Sequence, residues 1–168
     1  SYLNQISLIA EDYFKLRPEV ATMYGMSDQS LGAALSGKLS HYDPATEISR
    51  RASLKSIIER LSVIDTTDFS DREKLSLNLI ITEMQGAISP GDIVDYGSVV
   101  GEYGNWFLTY PVSHLSGPHI EVMTILEEKA AVNNKADAEG YIARLNDYPN
   151  MIKSVIEKIA YDRELGVI

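Results

Sequence analysis

Apolar residues recur along this chain at three- and four-residue steps nearly everywhere, the pattern of helices that each bury one stripe. Ile6, Ile9, Ala10, Tyr13 and Phe14 predict a first helix over Asn4 to Leu16. Pro18 suits the first turn of a short second helix, Glu19 to Tyr24, and Gly25 suits its stop. Residues 26–42, rich in Ser and Gly and weakly periodic, read as a surface loop. Asp43 as N-cap and Pro44 at the first helical position then open a long helix carrying Ile48, Leu54, Ile57, Ile58, Leu61 and Ile64. Ser70 and Glu73 have the spacing of a capping box, in which each side chain bonds the other's backbone amide. The helix they start is built on Leu77, Ile80, Ile81, Met84 and Ile88, and Ser89-Pro90-Gly91 ends it.

From Asp92 to Pro118 the pattern changes. Gly97, Gly101, Gly104 and Gly117 punctuate Tyr96, Tyr103, Trp106, Phe107 and Tyr110, which predicts irregular or extended backbone packed by its own aromatic side chains, with room for a short strand or helical turn. Two readings of this block stay open: an aromatic mini-core beneath a long connection, or one wall of a binding cleft. Helical period returns over Ile120 to Lys129, Ala136 to Asn146 and Asn150 to Glu164, with Pro149 breaking the last two. The closing helix is expected to turn Ile152, Val155, Ile156 and Ile159 inward and to expose a Lys153–Glu157 pair. Together these elements predict a mostly α fold: an irregular, bundle-like helical array with one long Gly/aromatic-rich segment, in a single domain over residues 1–168.

Size and charge narrow the function. A chain of 168 residues buries roughly 70% of the surface its unfolded form exposes, so no disulfide or metal staple is required. With 24 acidic and 15 basic residues the net charge is -9, which repels phosphate backbones and removes the counterion-release drive for nucleic-acid binding. No apolar run approaches the roughly 20 residues of a membrane span, and no basic leader or initiating Met opens the chain, so Ser1 reads as a processing boundary. The absence of cysteine excludes thiolate catalysis and Cys-ligated metal sites.

Catalytic motifs give negative results. A zinc hydrolase needs two His one helical turn apart with a Glu beside the first, and none of His41, His114 or His119 is followed by a second His four residues on. Gly117-Pro118 prevents His114 and His119 from sharing a helical face. His119 and Glu121 share the His-x-Glu of zinc deaminases, but that site also needs two cysteines. No phosphate loop, dinucleotide fingerprint or nucleophile elbow is present. The carboxylate pairs Glu127-Glu128 and Asp137/Glu139 sit on helix faces that read as solvated. No catalytic residue and no metal ligand are therefore assigned within this chain. Tyr110, His114 and His119, polar side chains where the irregular segment gives way to helix, are the candidate substrate-cleft residues.

A collinear series of segments carries a resemblance. Asp12-Tyr13-Phe14, Arg17-Pro18-Glu19-Val20-Ala21-Thr22 and Arg50-Arg51-Ala52-Ser53-Leu54 are followed by Phe69-Ser70-Asp71-Arg72 and Leu115-Ser116-Gly117-Pro118-His119. Tyr141-Ile142-Ala143-Arg144-Leu145 and the closing Leu165-Gly166-Val167-Ile168 complete it. In this order the chain resembles the N-terminal region of a large bacterial family, domain of unknown function 885. The Gly-rich aromatic block departs from that family's pattern.

The resemblance implies a mostly helical, zincin-like metallopeptidase of the cell envelope or periplasm, exported or lipid-anchored, whose His-Glu-x-x-Pro-Gly-His motif lies downstream. It implies no cofactor here: zinc is expected in a missing C-terminal catalytic part of the same chain, the principal partner, with peptide as substrate. The apolar ending Gly166-Val167-Ile168 reads as an interruption. The expected role is an N-terminal helical scaffold, inactive alone. The rival is a non-catalytic helical module of an envelope lipoprotein that binds peptide or protein.

Overall fold

Proline and short polar caps decide where the helices begin. A computed structural model of the chain describes residues 2–32, 34–100 and 106–167. Helix α1 (Tyr2–Leu16) precedes α2 (Pro18–Met23), which starts on its proline and stops before Gly25 at φ 67°. In α4 (Pro44–Ser62) the Asp43 carboxylate accepts the Thr46 amide at 3.0 Å, and α5 (Asp71–Ile88) opens on a reciprocal Ser70/Glu73 box. Each such cap is worth about 1 kcal/mol. A 3-10 turn (Ser89–Asp92) extends α5, and α6 (Pro118–Glu128) leads to the 30-residue α7 (Lys135–Glu164), capped by Asn134.

The apolar stripes meet in two main clusters. Ile9 of α1 packs with Ile57, Ile58 and Leu61 of α4 and with Leu77 and Met84 of α5. Leu39 and Tyr42 pack with Val122 and Leu126 of α6 and with Met151 and Val155 of α7. Leu54, Ala87 and Val99 form a smaller group at which α4, α5 and the hairpin meet. The fold is mostly α, as the periodicity predicts.

Several local expectations change. The loop expected over residues 26–42 holds a one-turn helix, α3 (Asp28–Leu31), because Ser27 and Ser30 cap each other reciprocally. The glycine-rich segment folds into an antiparallel hairpin, β1 (Ser98–Val100) with β2 (Trp106–Leu108), in the register Ser98↔Leu108, Val99↔Phe107 and Val100↔Trp106. Gly97 permits it: φ is 78°, and a Cβ there would lie 2.5 Å from the Phe107 ring and 2.8 Å from the Leu108 carbonyl. Among the described residues no aromatic mini-core packs this block. Phe107 lies under the Arg51 guanidinium, Trp106 and Tyr110 are exposed, and no two of its rings pair among the described residues. Gly101, Tyr103 and Gly104 lie outside the described residues.

Pro149 does not break the last helix; α7 runs through it. A proline removes one backbone donor and crowds the preceding turn, at about 3 kcal/mol or more in a helix interior. Anchors on both sides hold the helix through that cost: Asp147 bonds His41, the Tyr148 hydroxyl donates to the His119 carbonyl, and Met151 is wholly buried. The inward face of α7 is also rotated from the expected one. Val155 is buried and Ile152 and Ile159 are half-buried, but Ile156 is 59% exposed, and Met151, Lys158 and Asp162 take the inner positions.

Candidate functional site

The three residues singled out from sequence lie close in the chain but form no common site. Tyr110 is exposed just after β2. His114 is exposed on a turn closed by the Ser113 amide donating to the Ser116 carbonyl at 2.9 Å. His119, the second residue of α6, is half-buried, and its Nδ1 is buried without a hydrogen-bond partner. No hydrogen bond joins any two of them among the described residues, and none lines the cavities described below. The third histidine, His41, is committed to Asp147 at 3.0 Å. Among the described residues no group of three or more His, Cys, Asp or Glu side chains is placed to hold a metal ion.

Elsewhere a cleft of about 590 Å³ lies between the C-terminal end of α2, residues 25–29, the 35–36 segment, and the turn from α6 into α7. Close approach of backbones builds it. The 36–37 segment crosses α7 where Gly140 leaves room: a Cβ there would sit 3.0 Å from Ser36 Oγ and 3.2 Å from its main chain. Asp28 fixes the same segment. Its Oδ1 accepts the Leu35 and Ser36 amides, both at 2.9 Å, and its Oδ2 accepts the Ser36 hydroxyl at 2.8 Å. Burial pushes the Asp28 carboxyl up, but those donors and the Arg144 charge outweigh it and hold it below the usual carboxylate range.

Arg144 forms the floor. Its Nε donates to the Lys38 carbonyl at 2.9 Å, Nη1 to Thr22 Oγ1 at 2.7 Å, and Nη2 to the Pro18 and Leu35 carbonyls, each at 3.1 Å. One guanidinium thus ties α7 to both ends of α2 and to the loop after α3. Only Arg carries enough donors in a fixed fork to do this.

Behind the cleft lies a second layer of buried charge. Arg17 and Glu19, each 2% exposed, flank Pro18, with Nε and Oε1 3.4 Å apart. Glu19 Oε2 also accepts the Ser40 amide at 3.0 Å and its hydroxyl at 2.9 Å, and the Tyr42 hydroxyl donates to Oε1 at 3.4 Å. Burial would raise Glu19, yet Arg17 and the Ser40 donors hold it below its ordinary value. Burial pushes Tyr42 up to about 12, so it remains a neutral phenol. On α4, Glu47 bonds Arg50 at 2.6 Å and Arg51 at 3.1 Å and accepts the Val99 amide at 2.8 Å, pinning β1 to the helix.

Sequence reasoning missed Arg17, Glu19, Glu47, Arg50 and Arg144 as interior residues. A signal existed for α4: stepping back from Leu61, Ile58 and Leu54 by three or four residues lands on Arg50 and Glu47, not on Ile48, which is 64% exposed. No periodicity marks Arg17 and Glu19, which bracket a proline at a helix start.

The cleft carries two carboxylates, Asp28 and Asp137, each of which accepts a backbone amide. Apolar walls from Pro18, Ala21, Leu35 and Ala130 surround polar groups such as Gln29, Asn133 and Lys129. Its Ser36 hydroxyl is engaged by Asp28, and no histidine lines it.

Comparison with known proteins follows the same lines. The profile described as "Bacterial protein of unknown function (DUF885)" matches residues 18–168. No curated protein matches. The crystal structure of a protein from Colwellia psychrerythraea, provisionally named a lipoprotein, superposes with a TM-score of 0.82 at 23% sequence identity. That alignment covers 100% of this chain but only 29% of the other, so the chain spans less than a third of that protein's length.

Proposed function

This chain belongs to the bacterial family of unknown function DUF885, and on that premise we propose that it is the N-terminal helical scaffold of a longer, zinc-dependent peptidase of the cell envelope. One observation carries the reading: the whole fold recurs as 29% of a much longer chain, so in that setting most of the protein lies outside it. The residues present do not fit a zinc site. His41 is held by Asp147, His114 stands alone on a turn, and His119 is half-buried at the start of α6. No catalytic step is therefore assigned to this chain, and the zinc belongs to the C-terminal part, where it would supply a metal-activated water for amide hydrolysis.

The scaffold role draws support from the buried hydrogen bonds of Glu19 and Arg144, which fix α2, the 35–40 segment and α7 in one arrangement. We assign residues 1–168 to one domain, with Tyr110, His114 and His119 as its contacts to peptide. Envelope placement rests on the lipoprotein name of the Colwellia protein. No helix among the described residues is long and apolar enough to cross a membrane.

A second reading, a non-catalytic peptide- or protein-binding module of an envelope lipoprotein, is favoured by the cleft, whose Asp28 and Asp137 carboxylates and Ser36 hydroxyl are held by internal hydrogen bonds. The coding DNA beyond Ile168 separates the two. A downstream His-Glu-x-x-Pro-Gly-His segment is the expected result; a stop codon at that point would leave the binding module as the better account.

A further inference from the structure

α7 carries two apolar faces, and the fold covers only one of them. Met151, Val155 and the stems of Arg144 and Lys158 point inward, whereas Ile142, Leu145 and Ile156 are 56%, 42% and 59% exposed. With the exposed Pro149 they follow steps of three, four and seven residues, the spacing of a helix-packing seam, and Ile152 and Ile159 border it while packing inward against the Met151 and Val155 cluster. From Ile142 to Ile156 the seam runs about 21 Å at 1.5 Å per residue. Its flank is polar, with Glu139, Asn146, Asn150, Lys153 and Glu157 all exposed, so the seam is bounded as packed faces are. Pro149 adds a further feature: it has no N–H, so the Leu145 carbonyl lacks its α-helical donor on this same face.

We propose that this face of α7 is the docking surface for a helical segment of the same protein outside residues 1–168, an inference that rests on the scaffold reading. The occupant follows from two observations. The fold is matched over its full length inside a chain more than three times as long, so covalently attached polypeptide is available at high effective concentration. A second copy is disfavoured because it would bring together two chains that each carry a net charge of -9. The occupant is accordingly an amphipathic helix whose apolar stripe meets Ile142, Leu145 and Ile156 and which offers a donor near the Leu145 carbonyl.

The test uses the complete gene product, with Ile142→Cys and Ile156→Cys made singly and Lys153→Cys, on the polar flank, as the reference. Maleimide labelling of the folded protein is read by mass spectrometry of each α7 peptide, which avoids interference from cysteines elsewhere. Labelling at 142 and 156 is expected to be at least about tenfold slower than at 153 and independent of protein concentration. Equal rates at the three positions would overturn the proposal. So would protection that disappears on dilution, which would indicate a second copy, or protection that arises only with added phospholipid vesicles. Hydroxyl-radical footprinting of Ile142, Leu145 and Ile156 in the unsubstituted protein gives the same reading without a variant that must fold. Zinc content and peptide cleavage are measured on the same sample, so loss of the peptidase reading with protection intact is distinguishable from failure of the docking proposal.

Discussion

Replacing Arg144 by leucine removes the group that holds the cleft together. Its guanidinium serves four acceptors: the Lys38, Pro18 and Leu35 carbonyls and the Thr22 hydroxyl. A buried acceptor left without a donor costs about 1–3 kcal/mol, and four would reach about 4–12 kcal/mol if none were rehydrated. Arg144 also lines the cleft, however, so water can reach part of the vacated site. Discounting for that, Arg144→Leu is expected to destabilise the fold by about 3–5 kcal/mol, in the range seen when one member of a buried polar cluster is lost. Arg144→Lys should recover less than half, because one ammonium cannot span acceptors on α2 and on the loop together. Urea unfolding followed by far-ultraviolet circular dichroism measures both, with the exposed Ile93→Ala, expected within about 0.5 kcal/mol of wild type, as reference. A loss below about 1 kcal/mol for Arg144→Leu would refute the reasoning, since it would mean that these acceptors are satisfied without the guanidinium.

Three further outcomes are expected. Pro149→Ala restores the donor for Leu145 and relieves the crowded turn, so stability should rise by about 1–2 kcal/mol after the entropy gained by the unfolded chain; a fall in Tm would contradict the account of α7. Gly97→Ala forces a Cβ to within 2.5 Å of the Phe107 ring at a φ of 78°, so a loss of about 2–4 kcal/mol is expected, with a shift in the emission of Trp106, the single tryptophan. Tyr42 has a folded pKa of about 12 against an ordinary value of 10.0, so its contribution is complete below pH 10 and is lost as pH rises from 10 to 12. That change is worth about 3 kcal/mol, and Tyr42→Phe should show a correspondingly shallower alkaline loss of stability in denaturant titrations across that window.

Helix starts were the most legible feature of the sequence, because a cap is a local event. Asp43, Ser70 and Asn134 each bond an amide three residues on, and the first two could be read directly from residue type and spacing. What could not be read was whatever tertiary contact decides. Pro149 marks a break by every local rule, but Asp147, Tyr148 and Met151 anchor the helix across it. Glu47 and Arg50 occupy a stripe that composition assigns to solvent, and they are tolerated inside because they neutralise each other, Glu47 accepting the Val99 amide as well. The cleft was invisible for a similar reason: Asp28 and Arg144 are far apart in sequence and meet only because Ser36 crosses α7 at Gly140. Several segments that carried the family resemblance, Arg17-Pro18-Glu19 and Arg144 among them, read as helix punctuation and prove to be the buried charges that hold α2 and α7 together.

The central claim is that residues 1–168 support a peptidase without containing its reactive centre. Zinc content and hydrolysis of a peptide library, measured side by side on the complete gene product and on residues 1–168 alone, test it most directly. Stoichiometric zinc and cleavage in the complete protein, with neither in the isolated segment, are the predicted result. Cleavage or stoichiometric zinc in residues 1–168 alone, or a complete protein that neither binds zinc nor cleaves peptides, would contradict it.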